Sequence, residues 1–248
     1  MKLHRFFIKN KIEDGLGEIE IDDSYLVHQI KNVLRLKKGD KVLFLDNYGH
    51  ESLCSIVEVM KNKLIFSKEN VKKNSRRNEV SLTIYPAVIK KDKLEYVFQK
   101  CTEIGVFKFC PLVSDRTEKL NFNIERGEMI IREAAEQSEK ARLPSVEELV
   151  TLEELVTKHE TKKNFLDSEF AFYLDIDSGV IDVIQVRETL KNTGNRKISI
   201  FIGPEGGWSE TDKERLNFLG VKPFSLGETV LRAETASVAV SALLLLGK

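Results

Sequence analysis

Cysteine is scarce in this chain and badly placed for either of its structural uses. Cys54, Cys101 and Cys110 are odd in number and far apart, and no C-x-x-C pair occurs among the 248 residues. Neither a zinc site nor a disulfide framework follows from that pattern, and reduced, mostly buried thiols are expected. An excess of one charge is also missing: 39 basic residues balance 39 acidic ones, so bulk charge does not point to nucleic acid. Met1-Lys2-Leu3-His4-Arg5 lacks the apolar run of a signal peptide. The longest uncharged stretch, Thr235 to Gly247, is too short to span a bilayer. The expectation is a cytoplasmic protein with no membrane partner.

Several catalytic signatures are absent as well. There is no G-x-x-x-x-G-K-[ST] phosphate cradle and no G-x-G-x-x-G dinucleotide fingerprint. Neither H-E-x-x-H nor a serine nucleophile elbow is found, which removes support for ordinary hydrolase chemistry. The four histidines, His4, His28, His50 and His159, are scattered over the N-terminal region and a helix end, so acid–base work by histidine has no cluster to rest on.

What is present has two grammars. Up to about residue 76 the pattern is of short strands. Lys41 to Asp46 runs into the turn signal Asn47-Tyr48-Gly49, Ser52 to Val59 alternates as its hairpin partner, and Lys63 to Phe66 gives a further strand. Ser24 to Leu34 reads as helical. This is the pattern of a small β-barrel. A polar, basic linker is expected over Val71 to Asn78. It lies within a run holding Lys61, Lys63, Lys68, Lys72, Lys73, Arg76 and Arg77 against the single acid Glu69. Such a run is either a phosphate footprint or a solvated surface.

Beyond the linker, strands alternate with helices, the order of βα units around a largely parallel sheet. Val80–Val88, Val106–Val113, Phe170–Leu174, Ile198–Ile202 and Pro223–Leu226 are predicted strands. Leu94, Val97, Phe98, Cys101 and Ile104 recur at helical spacing, with Asp92 as N-cap and Gly105 past the end. Helices are also predicted over Glu125–Ala141, with an apolar line at Met129, Ile130 and Ala134, and over Val180–Leu190. Capping boxes at Thr151-x-x-Glu154 and Ser209-x-x-Asp212 open two more. The last helix, Glu234 to Leu246, carries no charge after its first residue and requires burial on most sides.

The chemistry concentrates in two strand-to-loop junctions. Phe201-Ile202 runs into Gly203-Pro204-Glu205-Gly206-Gly207-Trp208, and Leu226-Gly227-Glu228-Thr229-Val230-Leu231-Arg232-Ala233-Glu234-Thr235-Ala236 follows. Glycine loops let backbone N–H and C=O groups approach a ligand closely. Two such junctions in one α/β sheet suit a small-molecule site at the carboxyl ends of the strands. Adenine is a ligand that backbone hydrogen bonds and apolar walls such as Leu226 and Leu231 can hold. Arg232 and Glu234 admit two readings: an ion pair at a helix start, or groups that act on a bound substrate.

These paired motifs resemble those of the RsmE family, bacterial 16S ribosomal RNA methyltransferases of the SPOUT superfamily. Arg5-Phe6-Phe7, His28-Gln29-Ile30 with Val33-Leu34-Arg35, Gln99-Lys100 with Glu103-Ile104-Gly105-Val106, Glu136-Gln137-Ser138 and Arg142-Leu143-Pro144 extend the resemblance over the chain. It implies a PUA-like β-barrel RNA-binding domain at 1–76 and a knotted SPOUT α/β domain with a mostly parallel sheet at 77–248. The implied activity is methylation of N3 of one uridine with S-adenosylmethionine, without a metal, by a homodimer acting on 16S rRNA in the small ribosomal subunit. Leu174, Gly203, Pro204, Gly206, Leu226, Gly227 and Leu231 would hold the cofactor. Arg232 would stabilise the N3 anion, with Glu205 or Glu234 as a base if burial raises its pKa. Arg5, Arg35, Lys72, Lys73, Arg76, Arg77, Arg116 and Arg142 are the RNA-binding candidates. Another RNA target, or a non-catalytic RNA-binding or ribosome-assembly protein, is the alternative.

Overall fold

The computed structural model describes residues 3–73, 80–118, 122–161, 166, 168, 170–176 and 196–246. The helix predicted over Val180–Leu190, and Arg76 and Arg77, lie outside the described residues. The chain divides into two compact units, one of Met1–Arg77 with Ala135–Leu143 and one of Asn78–Ala134 with Pro144–Lys248.

The first unit is built on five strands: β1 (His4–Phe7), β2 (Glu18–Ile21), β3 (Lys41–Leu45), β4 (His50–Val59) and β5 (Leu64–Lys73). Their spatial order is β1-β3-β4-β5-β2. Only the β1–β3 pair is parallel. Alternation puts Phe6, Val42, Phe44, Cys54, Ile56 and Phe66 on one face, where they form the core with Leu26 and Ile30. Phe44 and Phe66 meet edge to face at 4.7 Å. Asp23 caps α1 (Ser24–His28) by accepting from the Tyr25 and Leu26 amides, and a π-turn at Gln29–Val33 continues it. The linker expectation is corrected at its start: Val71, Lys72 and Lys73 belong to β5. Lys72 and Lys73 pair with Glu51 and His50 across the ladder, a tertiary contact that outweighs their weak local strand preference.

The β3–β4 turn is held by one buried carboxylate. Asp46 is 1% exposed. It accepts from the Ile12 amide at 2.9 Å, the Tyr48 amide at 2.8 Å, the His50 amide at 2.9 Å and His50 Nδ1 at 2.9 Å. Burial pushes this carboxyl up, but the donors outweigh it and hold it below the ordinary aspartate value.

The second unit contains a six-stranded, all-parallel sheet. Its strands are β6 (Val80–Pro86), β7 (Lys108–Phe109), β9 (Ser145–Val146), β11 (Phe170–Leu174), β12 (Arg196–Ile202) and β13 (Lys222–Phe224), in the order β13-β11-β12-β6-β7-β9. Two further short strands, β8 (Leu112–Val113) and β10 (Val150–Thr151), pair beside it. The β6–β12 ladder shows why such strands read as near-continuous apolar runs: both faces are covered. Leu82 and Ile84 stand beside Ile198 and Ile200 on one face, while Tyr85 stacks on Phe201 at 4.2 Å on the other.

Helices α2 (Lys91–Ile104), α3 (Ile124–Gln137), α4 (Leu152–Thr161), α5 (Glu210–Phe218) and α6 (Ala233–Leu245) complete the fold. α2 buries Leu94, Val97, Phe98 and Cys101 and ends at left-handed Gly105, as the spacing predicts. Its N-cap, however, is Lys90; Asp92 sits inside the first turn, where a carboxylate still complements the helix dipole. Three other expectations are corrected. The Val106–Val113 strand is two short strands, because Pro111 removes a ladder donor between them. α3 stops at Gln137. Met129 is 38% exposed, and Ile131 and Ala135 are buried in its place. Both capping boxes form as predicted, with Thr151 Oγ1 accepting from the Glu154 amide and Ser209 Oγ from the Asp212 amide.

α6 packs on α2 and β6, burying Ala236, Ser237, Val240, Ser241 and Leu244. Its buried serines are satisfied within the helix, each hydroxyl donating to the carbonyl one turn back at 2.7 Å. Burial within the chain is one-sided, since Leu243 and Leu246 on the other face are exposed. All three cysteines are buried free thiols, and burial pushes Cys101 up to about 12.

Asp46→Asn replaces one of two acceptor oxygens by an NH₂ that faces donors. It should destabilise the first unit by about 1–3 kcal/mol in thermal denaturation. Because the Asp46 value is lowered on folding, its contribution is complete above the ordinary carboxylate range and fades as pH falls through the lowered value. The difference between the two proteins should therefore shrink on acidification. A difference independent of pH from neutrality into strong acid would refute this role.

Candidate cofactor-binding site

Four neighbouring strands, β13, β11, β12 and β6, run parallel and therefore end at one edge of the sheet. A cavity of about 570 Å³ opens there, within the second unit. That volume suits a cofactor-sized ligand. The predicted residues Leu174, Gly203, Pro204, Leu226, Gly227 and Leu231 line it, together with Glu205, Arg232 and Glu234. Gly206 does not. It faces the other way, and its carbonyl accepts from Arg116 Nη1 at 2.8 Å.

The loop after β12 is shaped by Trp208. Its indole Nε1 donates to the Leu174 carbonyl at 2.9 Å, tying this loop to the end of β11, and its ring packs edge-on against Tyr173 at 6.3 Å. A Cβ on Gly203 would stand 3.1 Å from Trp208 Cε2. A side chain at 203 would therefore crowd the indole, which would have to shift by a few tenths of an ångström. The Gly207 amide closes a turn onto the Pro204 carbonyl at 2.9 Å. The start of α5 is locked by Asp115, which accepts from Ser209 Oγ at 2.6 Å and Arg215 Nη1 at 2.8 Å. Those two partners hold its carboxyl below the ordinary aspartate value.

The loop after β13 is shaped by backbone conformation instead. Gly227 has φ +121°, which L side chains rarely adopt, and a Cβ there would meet no atom within 4 Å. The space beside it is open. Ser225 Oγ bridges to the Gly227 amide and carbonyl at 3.2 and 3.0 Å and sets the turn.

The cavity lining is of two chemical kinds. Leu174, Ile176, Phe224 and Leu226, at or just beyond the ends of β11 and β13, are apolar lining interrupted by Asp175, and Leu231 adds apolar surface just before α6. Lys90, Lys93, Arg232 and Glu234 form a charged side at the starts of α2 and α6. Glu234 is 8% exposed, and Lys93 Nζ stands 3.2 Å from its Oε1, so its ion partner is Lys93 rather than Arg232. Burial pushes the Glu234 carboxyl up, but its own backbone amide, Lys93 and Arg232 outweigh burial and hold it below the ordinary glutamate value. Glu205 is exposed at the rim. Asp175 carries an ion pair to Lys213 at 2.9 Å. Among the described residues no group of three or more potential ligands could hold a metal ion, and no helix is long and apolar enough to cross a membrane.

Lys90 and Lys93 are not singled out by the sequence, and Trp208 closes the first motif there without a role. The lysines follow the first strand of the parallel sheet, so the rule that ligands bind at strand carboxyl ends contains the signal for them. Trp208 needed the position of Leu174.

The RNA-binding candidates are spread over both units. Arg35, Lys72, Lys73 and Arg142 are exposed in the first, and Arg5 is half-buried beside Glu51 at 3.8 Å. Arg116 belongs to the second unit. Part of the basic run has structural partners: Lys63 pairs with Glu20 at 3.1 Å, and buried Lys68 donates to the Glu13 carbonyl at 3.0 Å.

A parallel α/β domain with a cavity of mixed lining on glycine loops is a cofactor-binding domain, and residues 76–245 match the model of the RNA methyltransferase domain. Residues 27–69 match the RNA methyltransferase PUA domain. The chain belongs to the ribosomal RNA small subunit methyltransferase E family. It is 30% identical to the member from Rickettsia conorii over 250 residues, covering 100% of this chain and 97% of the relative. Identity to the Bacillus subtilis member is also 30%, over 85% of this chain and 83% of that one. The fold matches that of the family member from Neisseria gonorrhoeae, solved bound to S-adenosyl methionine, with a TM-score of 0.82 at 20% identity over 97% of this chain and 96% of that one. A Legionella pneumophila protein solved in complex with the bound cofactor SAM matches at 0.81 and 23% identity over 98% and 97% of the two chains.

Trp208→Phe should remove the tie to Leu174 and lower stability by about 1–2 kcal/mol. Gly203→Ala should be worse in the parent than in the Trp208→Phe background, because the smaller ring relieves the contact. A double-mutant cycle by thermal denaturation tests this, and strict additivity would show that the glycine does not serve the tryptophan.

Proposed function

We propose that the protein transfers the methyl group of S-adenosylmethionine to N3 of a specific uridine in 16S ribosomal RNA of the small ribosomal subunit. The observation that carries this reading is the cavity at the carboxyl ends of β6, β11, β12 and β13, lined by both glycine loops, in a chain of this family. Its residues fit the cofactor. The apolar lining suits adenine, the loop backbones of Gly203 and Gly227 lie at the surface, and the space beside Gly227 is open. S-adenosylmethionine, when bound, supplies a methyl group on a sulfonium whose leaving group is a neutral thioether, so the reaction needs no metal ion.

Leu174, Gly203, Pro204, Leu226, Gly227 and Leu231 hold the cofactor in this reading, and Gly206 supports the loop through Arg116. Arg232, Glu205 and Glu234 face the substrate side. The lowered Glu234 value favours a fixed anion over a base. In-line displacement demands alignment first, which a preformed cavity supplies. Residues 1–76 form a PUA-like β-barrel that, with Arg5, Arg35, Lys72, Lys73, Arg76, Arg77, Arg116 and Arg142, holds RNA, while 77–248 form a knotted SPOUT domain. The exposed apolar face of α6 supports a homodimer, and we assign the protein to the cytoplasm.

Mass mapping of small-subunit RNA from cells lacking this gene should show loss of one N3-methyluridine; an unchanged methylation profile would overturn the reading. Calorimetry on folded Gly227→Val should show S-adenosylmethionine affinity reduced by about a hundredfold or more, since a branched side chain both strains the turn and enters the open space. Unaltered affinity would move the site elsewhere. Replacing Arg35, Lys72, Lys73 and Arg142 by alanine should weaken RNA binding and flatten its salt dependence without changing cofactor affinity. A parent-like salt slope would assign these cations to solvent.

A further inference from the structure

The charged lining of the cavity contains a cation whose purpose the glycine loops do not explain. Lys93 projects from the first turn of α2 into the cavity lining. Its ammonium is held 3.2 Å from the Glu234 carboxylate, on the first turn of the neighbouring α6. Glu234 is buried while the Lys93 side chain remains 38% exposed, so the pair presents its positive end to the opening. A half-exposed ion pair contributes little to stability, because solvent screens the attraction while the carboxylate still bears a desolvation cost. Its geometry suits a different purpose, fixing a cation where a substrate's negative charge develops.

We propose that Lys93 is a catalytic residue that faces the target base and stabilises the anion formed when uridine N3 loses its proton, and that Glu234 is the positioning residue that orients it. This rests on the functional reading above. Breaking the N3–H bond leaves the electron pair on N3 and delocalised onto the flanking carbonyl oxygens; the proton passes to water. Lys93 neither gives nor takes a proton in this step, so it needs no proton relay. A fixed cation lowers the cost of the uracil anion at neutral pH. Lys90, Arg232, Glu205, Glu234 and the Asp175 carboxylate paired with Lys213 also face this space. Of these charged groups, Glu234 is the ion partner of Lys93 itself.

The test is the pH–rate profile of methyl transfer to unmodified small ribosomal subunits, with S-adenosylmethionine affinity by calorimetry and thermal stability measured in parallel. Because Lys93→Met alone leaves a buried anion, Lys93→Met/Glu234→Gln is made beside it as a neutral pair of similar shape. The expected result is a loss of about ten- to a hundredfold at neutral pH, recovered progressively as pH rises, with cofactor affinity within about threefold. Lys93→Arg should restore much of the neutral rate. A profile of parent shape, an undiminished neutral rate in the folded double variant, or a cofactor affinity that falls in step with the rate would overturn the proposal. Absence of methyl transfer by the unaltered protein would overturn the functional reading itself.

Discussion

The hydrogen bond from the Trp208 indole to the Leu174 carbonyl, 2.9 Å long, is the constraint on which the site depends. It ties the loop leaving β12 to the end of β11 and so favours the position of the first glycine loop against the sheet. The indole also crowds the space that a side chain at Gly203 would take. The Ser209–Asp212 capping box and the Asp115–Arg215 ion pair then fix the far end of the same loop to α5. A loop clamped at both ends presents its backbone without reorganising when a ligand arrives, which is where preorganised sites gain affinity.

The parallel sheet does the remaining positioning. Four adjacent strands with one direction must bring four loops to one edge, and those loops contribute residues of unlike chemistry. β11 and β13 end in apolar residues, whereas β6 leads to Lys90 and Lys93, and the loop after β13 leads to Arg232 and Glu234. The mixed apolar and charged lining of the cavity therefore draws on several strand ends, not on any single motif.

Much of this was legible in the sequence because it is local. Capping boxes, the α2 periodicity ending at Gly105 and the two glycine loops are each written within a dozen residues. What was not legible depended on partners distant in the chain. Val71 to Lys73 form strand only because β4 lies beside them. Met129 is exposed and Ile131 buried because the neighbours of α3, not its composition, choose the inward face. The basic run looks uniform as letters, yet Lys68 is buried on the Glu13 carbonyl while Lys72 and Lys73 are exposed. The partner of Glu234 lies on another helix, so adjacency to Arg232 suggested the wrong pair. The knot, which runs against the rule that chains do not thread their own loops, comes from resemblance alone.

The central claim is that the two glycine loops form one cofactor site. A crystal structure of the protein grown with S-adenosylmethionine tests it most directly. The account predicts density between Leu174, Gly203 and Leu226, with adenine against the apolar lining and hydrogen bonds to loop backbone atoms. Cofactor density at any other place in the molecule, with this cavity filled only by water, would contradict it.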